Sequence, residues 1–272
     1  IGASLKRNIP NGFWNLALSR TDFNNDIEKY EDNQNPSVAN KSLDIVSAEK
    51  ETKLRFDVNK NRNGWKIAYG ASAQLADYSN STFSVIHKEI RDNGGAIVQP
   101  AVTANFNSPL NNFLRLGAFV QAGKRFAANR LGVSTGFRTD MNTFTTDGMN
   151  GLQTLSPRIS FSYVLADKWT WNSSAGIYYK IPPYTILGFA DNTDNVLVNK
   201  NARYQRSNHY TTGFEFLPND GLRFTLEGFY KQYSHVPVSN RNGISLANLG
   251  TDFTLLGNEA VATNGKGKAY GV

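Results

Sequence analysis

The chain has 272 residues, long enough for a sizeable core, and no cysteine, which excludes disulfide frameworks and thiolate metal or catalytic sites. Hydrophobic residues make up only 40% of it, yet aromatics reach 12%, too rich for disorder and well suited to strands with one apolar and one wet face. The formal charge of +7 is scattered one residue at a time rather than gathered in Lys/Arg runs, which speaks against a nucleic-acid surface.

No run of about 18 apolar residues occurs, so no transmembrane helix is expected; half-polar strands remain open as a way across a membrane. Period-two alternation predicts a first strand at 14–23 and, after a long polar connection at 24–50, a second at 54–60. Asn61-Arg62-Asn63-Gly64 then makes a tight turn into a third strand, 65–75. There Trp65, Ile67, Tyr69, Ala71, Ala73 and Leu75 share one face, with Lys66, Ala68, Gly70, Ser72 and Gln74 on the other.

A connection at 79–112 leads to strands 113–123 and 131–138 around a tight turn at 127–130, and another at 141–157 leads to strands 158–165 and 169–180. Ala166-Asp167-Lys168 turns between the latter two, and Pro182-Pro183 ends the second, because proline has no N–H for the ladder. Connection 181–208 precedes strands 209–217 and 222–230, joined at Pro218-Asn219-Asp220-Gly221. After a last connection at 234–265, a tenth strand starts near Lys266. The chain opens at Ile1 without an initiator Met or signal peptide and closes inside a strand, so both ends read as cuts.

Short turns alternating with long connections are the asymmetry of a transmembrane barrel, whose turns are periplasmic and whose long loops are extracellular. The expected fold is therefore all-β: one partial antiparallel transmembrane β-barrel domain over 1–272, with nine to ten strands in view. Since a strand edge open to lipid would leave N–H and C=O groups unsatisfied, further strands must close it. Trp65, Trp169 and Trp171 fall just after tight turns and Tyr78, Tyr179 and Tyr230 toward the long connections, as aromatic girdles require.

On the polar faces, Lys66, Arg115, Arg138, Arg158, Arg223, Glu227 and Lys231 are candidates to face the lumen, where they would bind an anionic ligand or plug, or simply be solvated. Tyr184 and Phe189 are candidate loop contacts to a ligand, with loop-on-loop packing as the competing role. No catalytic, metal or cofactor site is expected. His87, His209 and His235 lack ligand spacing, and Gly265-Lys266-Gly267-Lys268 lacks the phosphate-loop pattern.

The run from Leu155-Ser156-Pro157-Arg158 through Ala166-Asp167-Lys168-Trp169 to Tyr178-Tyr179-Lys180-Ile181-Pro182-Pro183-Tyr184 resembles the barrel of TonB-dependent outer-membrane receptors, in the style of the Bacteroidetes. Arg203-Tyr204-Gln205-Arg206-Ser207-Asn208-His209-Tyr210 resembles the family's next strand, and Gly265 onward a further one. The strand rhythm fits the whole chain, while the specific wording covers only 155–272. No TonB box or plug domain is visible in the sequence. The resemblance implies a plugged barrel of about 22 strands, in the bacterial outer membrane, importing a scarce nutrient with TonB-transmitted energy. Implied partners are outer-membrane lipid, the TonB complex acting through a plug domain outside this sequence, and a surface lipoprotein. The competing readings are a non-transport barrel (surface binding, assembly or secretion) and, further off, a soluble β-sandwich or propeller binding protein.

Overall fold

The computed structural model describes residues 1–190, 196–248 and 259–272. Strands β1 (Gly2–Ile9), β2 (Gly12–Tyr30), β3 (Lys41–Arg62) and β4 (Trp65–His87) lead into a small hairpin of β5 (Ile90–Arg91) and β6 (Ile97–Gln99), followed by β7 (Val102–Asn107). The chain continues as β8 (Leu110–Phe126), β9 (Leu131–Asn142), β10 (Ser156–Ala166) and β11 (Trp169–Lys180). A one-turn helix α1 (Tyr184–Leu187), then β12 (Gln205–Asn219), β13 (Leu222–Ser239) and β14 (Val261–Gly271), complete it.

The main sheet is an antiparallel meander in the order β1-β2-β3-β4-β8-β9-β10-β11-β12-β13-β14. β4 pairs with β8 along its first half and with β7 along its second. Ser108 and Pro109 separate β7 from β8, where proline interrupts what would otherwise be one long partner strand. Among the described residues β1 and β14 are each paired on one side only, so the sheet is an open section of a barrel wall. No described helix is long and apolar enough to cross a membrane, which has no bearing on crossing by strands.

Turn chemistry sets the short ends. Asn63 (φ 51) and Gly64 (φ 76) take the left-handed pair that a two-residue hairpin needs, while between β1 and β2 only Asn11 (φ 61) is left-handed, after Pro10. The β8–β9 turn is more demanding, since Ala127, Ala128 and Asn129 all have positive φ, at about 1–2 kcal/mol for each alanine. Arg130 braces it by donating from its guanidinium to the carbonyls of Val164 and Leu165 at the neighbouring turn, at 3.0–3.2 Å.

One face of the sheet is apolar and open: Leu18, Leu54, Tyr69, Val120, Phe137, Ile159, Phe214 and Leu226 are all exposed on it. Aromatic rows mark its two limits. Trp65, Phe126, Trp169 and Phe216 lie near the short turns, and Tyr210, Tyr230 and Tyr270 stand level with one another nearer the long connections. The buried core is elsewhere, at the long-connection end, where Ala76, Tyr78, Leu110 and Phe113 of the wall meet Ile181, Leu187, Ala202 and Tyr204.

The structure lengthens the strands and shortens the connections expected from the sequence. β2 runs to Tyr30 and β3 starts at Lys41, so most of 24–50 is paired strand. Connection 79–112 is largely strand as well, through β4, β5, β6 and β7; β9 extends to Asn142, and β12 begins at Gln205. In the last connection, β13 reaches Ser239 and β14 begins at Val261, which places His235 in a strand rather than a loop. The physical reason is visible in β2 beyond Arg20, where one face carries Asp22, Asn24, Asp26 and Glu28 and the other mixes Thr21, Asn25 and Lys29 with Phe23 and Ile27. Hydrophobic alternation stops there while backbone pairing with β3 continues. β1, with its short turn at Pro10 and Asn11, has no expected counterpart.

Candidate functional site

Directly opposed residues of neighbouring strands project to the same side, so register fixes the membership of each face. Lys53 opposes Gln74, Gln74 opposes Arg115, Phe119 opposes Arg138, Arg158 opposes both Gly136 and Gly176, and His209 opposes Lys231. Followed strand by strand, Lys66, Arg115, Arg138, Arg158, Glu227 and Lys231 share the polar face, and alternation along β13 adds Arg223. Small and hydroxyl side chains fill the space between them toward the short turns. There a concavity of about 660 Å³ is lined by Lys66, Gln121, Ser134, Ser160, Asn172 and Thr211 among others.

The charged members differ in their partners. Arg138 makes two parallel bonds to Asp140, at 2.8 and 2.5 Å, a fork geometry that fixes the guanidinium and offsets its charge. Arg223 pairs with Glu215, and Arg55 with Asp57 at 3.1 Å. Arg158 lies over the Tyr178 ring at 4.4 Å and Lys231 over Phe229 at 5.3 Å, contacts that leave their positive charge uncompensated. Lys66 and Glu227 are exposed.

At the long-connection end, residues 181–190 and 196–204 fold back onto this polar face. Pro182 and Pro183 turn the chain out of β11, and α1 then brings Tyr184 against the wall. The Tyr184 hydroxyl donates to Glu51 Oε1 at 2.6 Å and accepts from Arg115 Nη1 at 3.4 Å, while Gln74 Nε2 donates to the same Glu51 oxygen. Its ring stands edge-on to Phe113 (5.7 Å) and tilted to Tyr78 (5.9 Å). Burial first, and then donation to the Glu51 carboxylate, push the Tyr184 hydroxyl up to about 12, so at neutral pH it is a fixed donor.

Two buried amides hold the rest of the segment. Asn142 Nδ2 donates to the Tyr204 hydroxyl at 3.3 Å, and its Oδ1 accepts from the backbone N–H groups of Phe144 and Thr145. Asn199 Nδ2 donates to the carbonyls of Ile186 (2.7 Å) and Glu259 (3.1 Å), and its Oδ1 accepts from the Val261 N–H, tying the segment to the start of β14. Burial also raises the Tyr204 hydroxyl. Between this segment and residues 145–154 lies a cleft of about 180 Å³ with Asp147, Lys200 and Arg203 at its rim.

Of the expected site residues, the structure joins Arg115 to Tyr184 and leaves the other charged ones distributed along the wall. Tyr184 and Phe189 are both half-buried and engaged in packing, Phe189 against Phe106 at 6.4 Å. Glu51, Gln74 and Asp140 were missed. The signal for Glu51 was available: the odd positions Glu49, Glu51, Lys53, Arg55, Asp57 and Asn59 are an unbroken polar face that carries β3 well upstream of 54.

A protein-family model described as "TonB dependent receptor-like, beta-barrel" matches residues 2–272. Solved structures agree in fold. The copper transporter OprC shares 13% identity at a TM-score of 0.62, over 99% of this chain and 42% of that one. The ferric enterobactin receptor PfeA from Pseudomonas aeruginosa shares 14% at 0.60, over 99% and 39%. The siderophore receptor PirA from Acinetobacter baumannii shares 12% at 0.58, over 89% and 37%. The chain thus spans about two fifths of the length of these proteins. No curated protein matches it by sequence.

Proposed function

Because the chain belongs to the TonB-dependent receptor β-barrel family of the bacterial outer membrane, we propose that it forms part of the wall of a receptor that imports a scarce nutrient with energy transmitted by TonB. The family consists of transport receptors rather than enzymes, and we extend that to this chain: its role is passage, not chemistry. The observation that carries the reading is the contrast between the two faces of one sheet, an open apolar face bounded by aromatic rows and a polar face with a connection folded onto it. A soluble sandwich would cover its apolar face with a second sheet.

In this reading the apolar face meets lipid and the polar face, with Lys66, Arg115, Arg138, Arg158, Arg223, Glu227 and Lys231, lines the lumen. The long connections are extracellular and the short turns periplasmic. The single-sided edges at β1 and β14 pair with further strands, since lipid would leave their backbone groups unsatisfied. TonB acts through a plug domain seated against the polar wall, and a surface lipoprotein would approach from the long-connection side.

Two measurements on the full-length receptor test this. In cells that depend on the receptor for one nutrient, deleting TonB should abolish uptake while the receptor stays in the outer membrane; uptake that persists would indicate a passive or non-transport barrel. Spin labels at Ile67 and Leu226 should be accessible to oxygen and shielded from a water-soluble relaxation agent, and the reverse would overturn the membrane assignment.

A further inference from the structure

The apolar face carries a group of cations at its short-turn limit for which import has no use. Trp65, the first residue of β4, is opposed across the ladder by Arg62 on β3 and by Lys124 on β8. Lys60 lies one pleat further along the same face, opposite Ile67. Lys124 Nζ stands 5.2 Å from the centroid of the Trp65 ring and 5.7 Å from that of Phe126. Arg62 and Lys60 are exposed and Lys124 is half-buried. Among the described residues, no carboxylate comes within ion-pair distance of any of the three.

Snorkelling toward water explains one long cation at a membrane interface; it does not explain why two flank the same tryptophan. Arg62 and Lys124 are two strand spacings apart, about 10 Å, which leaves room for one headgroup over the indole between them. From Trp65 the same face runs directly into Ile67, Tyr69, Ala122 and Val120, a strip on which an acyl chain can lie. The complementary ligand is therefore amphipathic, with a net negative head at the level of Trp65 and a hydrocarbon tail along β4 and β8.

We propose that Arg62, Lys124 and Lys60, grouped around Trp65, bind the phosphate headgroup of an anionic glycerophospholipid in the leaflet that meets the short turns. The guanidinium of Arg62 gives directed donors to the phosphate oxygens, the two lysines add charge, and the indole offers its N–H at headgroup depth. The site rests on the reading of the apolar face as lipid-facing. It is distinct from the polar face, which lies on the other side of the sheet.

The test is native mass spectrometry of the full-length receptor in detergent, presented with equal amounts of phosphatidylglycerol and phosphatidylcholine. The expected result is a preference of roughly tenfold for phosphatidylglycerol, the scale that one or two interfacial cations supply. The double variant Arg62→Gln/Lys124→Gln should bring the two lipids close to parity. Arg125→Gln, adjacent in sequence and on the opposite face, should leave the preference unchanged. Excess inorganic phosphate should not displace the bound lipid.

Equal retention of the two lipids by the wild type would overturn the proposal, as would a preference that survives in the double variant. Displacement by inorganic phosphate would assign the site to a free anion and overturn the lipid assignment. Both variants should keep the heat-modifiable migration of a folded barrel, so that loss of lipid is not loss of fold. The spin label at Ile67 separates the two failures. If it stays oxygen-accessible while the lipid preference is absent, the barrel reading stands and only the headgroup site falls.

Discussion

Replacing Tyr184 with phenylalanine isolates the hydroxyl that fastens the folded-in segment to the wall. The ring contacts to Phe113 and Tyr78 persist, and what is lost is the 2.6 Å bond to Glu51 and the two longer ones accepted from Arg115 and Gln74. A hydrogen bond to a charged group contributes about 1.5–3 kcal/mol. Glu51 keeps Gln74 as a donor, so the low end is expected, about 1.5 kcal/mol, or roughly a tenfold rise in the fraction of undocked segment. Hydrogen exchange of the full-length receptor reads this directly. The Leu187 and Gly188 amides, bonded to the Pro183 and Tyr184 carbonyls at 3.1 and 2.7 Å, should exchange about tenfold faster, while peptides from β10 and β11 stay protected. Tyr184→Ala, which also deletes the half-buried ring, should accelerate them further, by about 3–5 kcal/mol in all. Wild-type exchange in Tyr184→Phe with fast exchange in Tyr184→Ala would mean that packing alone holds the segment. Wild-type exchange in both would refute the docking argument.

Three further outcomes are expected. Because Tyr184 ionises at about 12 rather than the ordinary 10.0, the docked state holds the proton more tightly than the undocked one; docking is fully supported below pH 10 and lost as pH rises toward 12. Protection of the same amides, taken relative to their base-catalysed intrinsic rate, should fall across that window in the wild type and stay level in Tyr184→Phe. Leu226→Arg places a charge on the apolar face and should cost about 2–4 kcal/mol near mid-bilayer, measured by urea titration of refolding into vesicles; Thr225→Arg, on the polar face, should be tolerated. Gly70→Ala should destabilise the barrel by about 1–3 kcal/mol, read as a lower urea midpoint, because its Cβ would collide with the Phe56 carbonyl oxygen. In contrast Gly228→Ala, whose nearest neighbours are 3.9 and 4.0 Å away, should not.

Inside the apolar band the fold was legible, because β8 needs Leu114, Leu116, Ala118 and Val120 on one side and Arg115 and Gln121 on the other. Period two is then a direct consequence of facing two solvents. Above the band that constraint disappears. β2 beyond Arg20 and β3 before Leu54 still form a ladder, but charged and amide side chains stand on both faces, interrupted only by a few apolar residues such as the buried Leu43 and Ile45, so composition there looks like loop. The seven charged candidates share a face for the same reason that made them visible. Their partners were not, because Glu51 meets Tyr184 across 133 positions of sequence and no local pattern encodes that encounter. Arg138 and Asp140 were closer to hand, two residues apart on one strand face, and only the fork between them has no signature in the sequence.

The meander also has a kinetic consequence. Every strand of the main sheet lies beside its immediate predecessor except β8, which reaches β4 only after the chain has passed through the β5–β6 hairpin and β7. Assembly can therefore proceed like a zip, each strand templating the next, with long connections to close at 181–204 and 240–260 and a distinct pause at 88–109, where the chain must pass through other strands before the ladder resumes. β7 shortens that pause, since its pairing with the far half of β4 returns the chain to Ser108 already alongside Asn80, within a few residues of where β8 must begin. Deleting the hairpin alone should leave this guide intact, whereas unpairing β7 would leave a free tether of about twenty residues at the one step where order is not dictated by adjacency.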